Sequence, residues 1–186
     1  MKTRRAGLAA ALLTTAVALT GCGSSDSGAG SVPEGWGTLK TKGVDVSYPQ
    51  GYEEQSAAER GKHNAAAAVR TENGKKVSVL TVQLGFTEAN SAEQAAIAAE
   101  AGIQMGADVK GRQDVELAGT DEARRIDFSF KATGEDGGPA AGTPVEGVIL
   151  AGLDSRDTAF AIRIDARQGS LPDGDLDRII DSVEVH

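Results

Sequence analysis

The segment from residue 65 to residue 86, AAAAVRTENGKKVSVLTVQLGF, decides the fold. Its centre, Asn73-Gly74, is typical of the two-residue turn of a β-hairpin, because both turn positions require positive φ angles. After the turn, apolar residues recur at every second position and so share one face of a strand: Leu80, Val82, Leu84 and Phe86. The segment therefore predicts two antiparallel strands, residues 65–70 and 76–86, joined by a tight turn.

The same alternation recurs along the chain and predicts further strands. It is clear at Ile126, Phe128 and Phe130, which alternate with polar residues. Residues 132–144 then interrupt the pattern with several Gly and Pro residues, which is typical of a mobile loop at the tip of a hairpin. The additional predicted strands are residues 44–48, 115–117, 124–131, 145–153 and 158–166.

Two segments have helical spacing. Ser91 and Gln94 form a capping box that predicts the start of a helix, which we expect to run to Met105 and to end at Gly106. An apolar stripe at positions i, i+3, i+4 and i+7 indicates the second helix: Leu176, Ile179, Ile180 and Val183. Strands, a helix, more strands and a final helix predict an α+β fold, with a mostly antiparallel β-sheet sandwiched by helices.

The N-terminal residues have the layout of a bacterial export signal. Lys2, Arg4 and Arg5 make the start of the chain positive, and the uncharged apolar run of residues 7–20 follows. A run of about 14 residues is shorter than the ~20 that a helix needs to span a bilayer. Because Arg4-Arg5 is also compatible with twin-arginine export, the export route stays open.

The signal ends in Leu19-Thr20-Gly21-Cys22, which resembles the lipobox of bacterial lipoproteins. Small residues before the cysteine admit an extended backbone to a signal peptidase, and the thiol then accepts the lipid. We expect cleavage before Cys22 and a diacylglyceryl thioether on its sulfur, because stable attachment requires two fatty acyl chains, such as palmitate. An ordinary secretory signal with an incidental cysteine is the alternative.

We expect three parts in the precursor: a lipoprotein signal peptide (1–21), the lipidated Cys22 with a Gly/Ser-rich tether (22–35), and one folded domain (36–186). The tether has no apolar pattern and is typical of a flexible linker. Signal and tether together predict an exported protein, lipid-anchored to the outer face of the cell membrane.

The net negative charge of the chain limits the classes of partner that it can bind. There are 19 Lys and Arg against 27 Asp and Glu. Three of the cations lie in the signal peptide, so the mature chain has a formal net charge of −11. Binding to nucleic acid depends on neutralising phosphates with cations, and we therefore expect no nucleic-acid partner. An anionic membrane also repels an acidic domain, so the lipid on Cys22 is the predicted membrane contact.

No catalytic constellation is visible in the sequence. It has two histidines, His63 and His186, and it lacks the Gly-x-Ser-x-Gly, Ser-x-x-Lys and His-Glu-x-x-His motifs of serine and zinc hydrolases. A solvated loop position is therefore the favoured interpretation of His63, over a role as general base. We expect a protein that is not an enzyme, with no catalytic residue and no cofactor.

A calcium loop is an alternative interpretation of Asp173, Asp175, Asp177 and Glu184, which have the 1, 3, 5 and 12 spacing of an EF-hand. Position six, however, is Arg178, where the sharp turn of the loop requires Gly. The favoured interpretation is the start of a helix, with Asp173 as N-cap and Asp175 in the first turn. We therefore expect no metal site.

Two features have alternative interpretations as ligand sites. Trp36, Tyr48, Tyr52 and Phe86 could line a ligand groove, but aromatic residues make up only 4% of the chain, so we expect them mainly in the core. The loop at 132–144 is either a recognition loop or a spacer. The sequence singles out no ligand-binding residue.

Two segments resemble the PsbP-like (Mog/PsbP-like) fold, and within it the actinobacterial lipoproteins of the LpqN type. The first is Gly43–Tyr52, GVDVSYPQGY, where an alternating strand runs into Tyr-Pro, a Gly and an aromatic residue. The second is the strand at 160–166 with the helix at 175–183. The resemblance covers most of residues 36–186, although Tyr52 stands where many relatives have Trp.

The resemblance implies a helix–antiparallel sheet–helix sandwich that acts by binding and not by catalysis. The family includes subunits that attach to photosystem II and a nuclear Ran-binding protein, so one scaffold serves different functions. We expect an accessory module that binds a protein partner or an envelope component through a sheet edge or the loop at 132–144. The alternative is a carrier of a small apolar or glycan ligand in a cavity between sheet and helices.

Overall fold

The chain is built on a seven-stranded antiparallel sheet. The computed structural model describes residues 32–186 except residues 104, 136 and 173. The strands of this part of the chain are β1 (Gly37–Lys40), β2 (Val44–Tyr48), β3 (Tyr52–Glu54), β4 (Ala66–Glu72), β5 (Lys75–Leu84), β6 (Asp108–Leu117), β7 (Thr120–Lys131), β8 (Pro144–Leu153), β9 (Ala159–Arg167) and β10 (Glu184–Val185), and the helices are α1 (Ala92–Ala101) and α2 (Asp175–Asp181).

The large sheet has the strand order β3-β4-β5-β9-β8-β7-β6, and every pair of neighbours is antiparallel. A second, smaller sheet has the order β1-β2-β10. The predicted hairpin at residues 65–86 is confirmed as β4 and β5. Its turn residues Asn73 and Gly74 have φ angles of 51° and 73°, as this turn requires.

The two sheets and the helices stack in layers, which confirms the predicted α+β class. One face of the large sheet packs against the small sheet and α2, and the core between them includes Leu39, Val46, Leu80, Phe160, Ile162 and Ile179. The other face, which we call the α1 face, packs against α1. The sandwich therefore differs from the expected one in that a small sheet joins α2 in covering one face.

Strand β6 is much longer than the predicted residues 115–117. Six of its ten residues are exposed and five are charged, because β6 is an edge strand of the sheet and its side chains largely face solvent. An edge strand of this kind lacks the apolar alternation that reveals a half-buried strand. The strands β1, β3 and β10 have two to four residues each, too few for a periodic pattern to appear.

Helix α1 begins as predicted and ends earlier. The Ser91 hydroxyl accepts a hydrogen bond from the backbone N–H of Gln94 at 3.3 Å, while the Gln94 side chain accepts from the N–H of Asn90. The helix closes at Gly102 instead of continuing to Met105, because glycine is a poor helix former and the Gly102 N–H already bonds back to Ala99.

Helix α2 confirms the helical interpretation of residues 175–181. Ile179 and Ile180 of the predicted stripe are buried, and Asp175 and Asp177 lie in the first turn. The cap is Gly174, with φ of 80°, and not Asp173, which lies outside the described residues. Within the described part of the chain, neither helix has the length and hydropathy to cross a membrane.

The β6–β7 turn approaches the C-terminal strand at Gly119. The N–H of Val185 donates to the carbonyl of Ala118 at 2.7 Å. Gly119 has φ of +84°, and a Cβ built on it would overlap the carbonyl of Val185. A residue without a side chain is therefore required for β10 to join the turn.

We expect Gly119→Ala to lower the free energy of unfolding more than Gly51→Ala does. Gly51 has a similar φ of +88°, but a Cβ there meets open space, so its variant bears only the ~1–2 kcal/mol of an L-residue in this conformation. The overlap with Val185 should add roughly 1–3 kcal/mol at Gly119. Chemical denaturation measures both losses, and equal losses would contradict the close approach.

Candidate functional site

Helix α1 covers only one end of its face of the sheet. Its small residues Ala95 and Ala96 are buried and allow it to lie close to the strands, where it packs on Ile126, Ile149, Ala151, Ala159 and Ala161. A ten-residue helix is ~15 Å long, about half of the ~30 Å that a strand of nine or ten residues spans. The far ends of β7, β8 and β9 are therefore left uncovered by α1.

The connection between β7 and β8 covers the opposite end of the same face. This loop, residues 132–143, is closed at its base by hydrogen bonds between Ala132 and Thr143 and between Gly142 and Ala132. At its tip, the carbonyl of Gly137 accepts a hydrogen bond from the N–H of Lys76 on β5 at 2.8 Å. Because β9 lies between β8 and β5, the loop crosses the end of β9.

A groove of about 340 Å³ adjoins this loop on the α1 face. We call it the α1-face groove. Its walls are loop residues 132–135, 138 and 139, and its floor comes from β5, β7, β8 and β9. The side chains that carry its chemistry are Lys76, Phe130, Glu135, Arg163, Asp165 and Arg167. A second hollow, of about 650 Å³, shares Phe130 and Val145 with it and continues toward Lys110.

One phenylalanine, Phe130, lines the groove, and a second, Phe128, lies buried beside it. The rings of Phe128 and Phe130 are stacked, with centroids 6.2 Å apart. Phe128 pairs with Gly147 on β8, and a Cβ on Gly147 would overlap the Phe128 ring. The Phe128 ring therefore occupies the space that a side chain at position 147 would fill.

An ion pair occupies the centre of the floor. Arg163 Nε lies 3.0 and 2.9 Å from the two carboxylate oxygens of Asp165. The same guanidinium donates to the carbonyl of Gly102 at the end of α1, at 3.2 Å, and lies 5.1 Å from the centroid of Phe128. Three contacts thus hold Arg163 in place, and a guanidinium over an aromatic ring is itself favourable.

The environment of Asp165 favours its neutral form. Burial raises the pKa of the Asp165 carboxyl above its ordinary value, and the Arg163 guanidinium opposes the rise without cancelling it. The side chain keeps 24% of its surface exposed. The groove therefore presents a carboxyl group whose charge depends on its surroundings, and a bound partner would change it further.

A second set of charges lies at the end of the groove. Arg167 donates to Glu72 at 2.7 Å, and Arg70 donates to the other oxygen of the same carboxylate at 2.8 Å. Lys76 and Glu135 stand at the mouth, the first half-buried and the second exposed. Charges of both signs are therefore presented side by side.

The groups that line the groove are suited to non-covalent contacts. The groove offers aromatic surface, guanidinium donors, carboxylate acceptors and the backbone of a loop. Neither histidine nor cysteine is among the residues described as lining it. These lining residues do not place a nucleophile next to a general base, as covalent catalysis requires.

The candidate site residues from the sequence are not among those that line the groove. Cys22 lies outside the described residues, and His63 is exposed in the connection between β3 and β4. Asp175 and Asp177 lie in α2 and Glu184 in β10, which rules out a calcium loop at these positions. No cluster of potential metal ligands occurs among the described residues.

The four aromatic residues weighed for a ligand groove belong to the cores. Tyr52 is buried, with its hydroxyl donating to Ser78 at 2.5 Å, while Trp36 and Tyr48 pack against the same core and Phe86 against the other. The groove instead uses Phe130, whose ring stacks on the buried Phe128. The alternation of Phe128 and Phe130 with polar residues shows that they share one face of a strand. Such an apolar face usually belongs to a core, so it did not indicate an open groove. Residues of the loop at 132–144 form one wall of the groove, and its interpretation as a recognition loop stays a prediction.

Comparison with known proteins identifies the fold. No protein-family model matches the sequence, and no curated protein matches it significantly. Among solved structures, the chain is similar to the Ran-binding protein Mog1p of Saccharomyces cerevisiae, with a TM-score of 0.50, 12% identity and coverage of 81% of this chain and 95% of that one. It also matches the cyanobacterial PsbP (CyanoP) of Synechocystis sp. PCC 6803, with a TM-score of 0.46, 10% identity and coverage of 84% and 98%. The likeness to Mog1p confirms a Mog1/PsbP-like fold.

The raised pKa of Asp165 predicts a distinctive effect of pH on stability. Its stabilising contribution is fully present below the unfolded-state pKa of about 3.9 and is lost as the pH rises through the folded-state pKa. An amide does not titrate, so we expect the stability of Asp165→Asn relative to the wild type to rise between about pH 4 and pH 7. Urea denaturation over this range measures it.

Asp154 provides a control of the opposite sign. Burial raises the pKa of its carboxyl, but hydrogen bonds from the Arg156 side chain and from the N–H groups of Thr158 and Arg156 lower it below the ordinary value. Asp154 therefore stabilises the fold above the unfolded-state pKa, and this contribution is lost as the pH falls. The deficit of Asp154→Asn should grow as the pH rises. Parallel trends for the two variants would show that the Asp165 assignment is wrong.

Proposed function

We propose that this chain is a lipid-anchored, extracytoplasmic binding or accessory protein of the LpqN type, without enzyme activity, that docks a protein partner in the α1-face groove. The lipobox at Leu19–Cys22 and the Gly/Ser-rich tether after it support the anchor. A lipid on Cys22 would hold the domain at the outer face of the cell membrane.

The position of the groove in the fold suits a tethered protein. The first strand of the described residues, β1, belongs to the small sheet, and this sheet covers the face opposite to α1. A tether that enters on the small-sheet side leaves the α1 face turned away from the anchor. A partner then has access to the groove.

The single observation that carries the proposal is the groove between α1 and loop 132–143, with Arg163 and Asp165 held at its centre. Its sides are open, and Lys76 and Glu135 at its mouth have opposite charges. A surface with charges of both signs beside an aromatic ring fits another protein surface with complementary charges. Mog1p, which has the same fold, is described as a Ran-binding protein, so the scaffold is compatible with protein binding.

A carrier of a small apolar or glycan ligand is the second candidate. The ring of Phe130 beside the Arg163–Asp165 pair favours it, because small-ligand sites combine aromatic surface with a few fixed polar groups. The groove volume of about 340 Å³ lies at the lower end of the range for such sites.

The anchor is tested by Cys22→Ser. Without the thiol no thioether forms, and we expect the protein to move from the membrane fraction to the soluble fraction and to lose incorporation of labelled palmitate in its native host. Ser24→Ala, two residues away in the tether, is the control and should leave both properties unchanged. Retention of label in the Cys22 variant would rule out this anchor.

The docking surface is tested by exchanging the charges at the mouth of the groove, in the double variant Lys76→Glu/Glu135→Lys. The net charge stays the same, and the hydrogen bond of Lys76 to Gly137 is preserved because it uses the backbone. We expect the recovery of the protein partner in pull-downs from the native envelope to fall about tenfold, which corresponds to ~1.4 kcal/mol of binding free energy.

The matched control is Lys62→Glu/Glu88→Lys, since both residues are exposed and neither lines the groove. It should recover the partner as the wild type does. Equal recovery with both double variants would contradict docking in the groove. A stoichiometric lipid or sugar without any protein partner, detected by mass spectrometry of the purified protein, would favour the carrier.

A further inference from the structure

The outer edge of the large sheet is a long strand that pairs on one side only. β6 has ten residues and pairs with β7, and no other strand of the described part lies along its outer side. The edge is closed at its C-terminal end, where Ala118 bonds to Val185. Unpaired backbone N–H and C=O groups along such an edge can bond to another strand.

The charges of β6 are arranged symmetrically about its centre. From Lys110 to Glu116 the sequence is KGRQDVE, so two cations precede Gln113 and two anions follow it at the same distances. An antiparallel copy of this sequence, centred on Gln113, places Arg112 opposite Asp114 and Lys110 opposite Glu116. The strand is therefore complementary to itself.

The faces of the strand agree with this symmetry. Arg112 pairs with Ile126 and Asp114 with Arg124, so both side chains lie on the α1 face. Gly111 and Val115 lie on the other face, opposite Asp127 and Ala123. The two register shifts fall on either side of the segment 111–115 and leave it regular.

We propose that β6 pairs antiparallel with β6 of a second copy of this chain, with Gln113 opposite itself. Opposite charges directly across an antiparallel pair are stabilising, and like charges are destabilising. Two neighbouring registers also keep the faces of the strands matched. One is centred on Arg112 and places Arg112 opposite Arg112. The other is centred on Asp114 and places Asp114 opposite Asp114. The centred register alone avoids both.

The charged side chains are available for this pairing. Arg112 now bonds to Glu100, and Asp114 bonds to Arg124, but the Arg112 side chain is 60% exposed and that of Asp114 is 82% exposed. Exposed ion pairs contribute little free energy, so both residues can exchange or share partners at low cost. Charged side chains on an edge strand commonly prevent it from pairing with other strands. In β6, the order of the charges favours pairing with β6 of a second copy.

The two-fold axis of this dimer is perpendicular to the sheet, so two seven-stranded sheets become one continuous sheet. Both α1 faces then lie on the same side, and β6 itself contributes no residue to the walls or floor of the α1-face groove. Self-association therefore stands independently of the proposed partner docking. The dimer would present two grooves side by side.

The test uses the full chain in a mild detergent, with size-exclusion chromatography and light scattering to separate protein mass from detergent mass. We expect the wild type to approach about twice its 19.0 kDa at high protein concentration and to return to one chain on dilution. Arg112→Asp and Asp114→Arg each place like charges across the pair, and each should stay at the mass of one chain.

Mixing the two single variants is the decisive measurement. In the mixed pair, residue 112 of each chain again faces an opposite charge at residue 114 of the other, so we expect the twofold mass to return in a one-to-one mixture. Circular dichroism of each variant, matching the wild type, establishes that both are folded. The N-terminal segment is the same in every sample, so association through it would persist in the single variants.

Three outcomes would overturn the proposal: a wild type that stays at one chain at every concentration, single variants that remain dimeric, or a mixture of folded variants that fails to recover the dimer. The first shows that the edge does not associate, the second that another surface does, and the third that the register is wrong.

Discussion

The alternation of side chains along β9 is the constraint on which the rest of this structure depends. β9 is the central strand of the large sheet, and its even-numbered residues, Phe160, Ile162 and Ile164, are buried in the core beneath the small sheet. With that face committed to the core, the odd-numbered residues must lie on the α1 face. The same strand that anchors the main core therefore delivers Arg163 and Asp165 to the groove, and a shift of one residue in its register would exchange the two roles.

The groove exists because α1 is short and rich in alanine. Small side chains allow the helix to pack closely, and Gly102 ends it after ten residues, so it shields one end of the sheet and leaves the other to the loop between β7 and β8. The carbonyl of Gly102 accepts a hydrogen bond from Arg163, which ties the end of the helix to the centre of the groove. The end of α1 at Gly102 thus both limits the core on this face and positions Arg163 in the groove.

Paired charges occur on both exposed features of the sheet, with different consequences. In the groove, burial raises the pKa of the Asp165 carboxyl, and the adjacent Arg163 guanidinium opposes part of this rise. On the edge strand β6, the pairs made by Arg112 and Asp114 are exposed and contribute little to stability. The charges in the groove are held in place by their contacts, whereas the exposed charges on β6 can change partners at low cost.

Local sequence was sufficient for the elements in which a periodic pattern meets a turn or cap signal. Asn73-Gly74 with its flanking alternation predicted β4 and β5, Ser91 and Gln94 predicted the start of α1, and the stripe around Ile179 and Ile180 predicted α2, because these signals depend on residues only a few positions apart. The lipobox at Cys22 is equally local, and it remains a prediction. Phe128, Arg163 and Asp165 become one site only through strand pairing, since residues 35 or more positions apart meet across Gly147. Tertiary structure also decided the extent of β6, the early end of α1 and the groove itself. The reason is that burial and hydrogen bonding between distant segments decide which face of a strand is covered and which remains open.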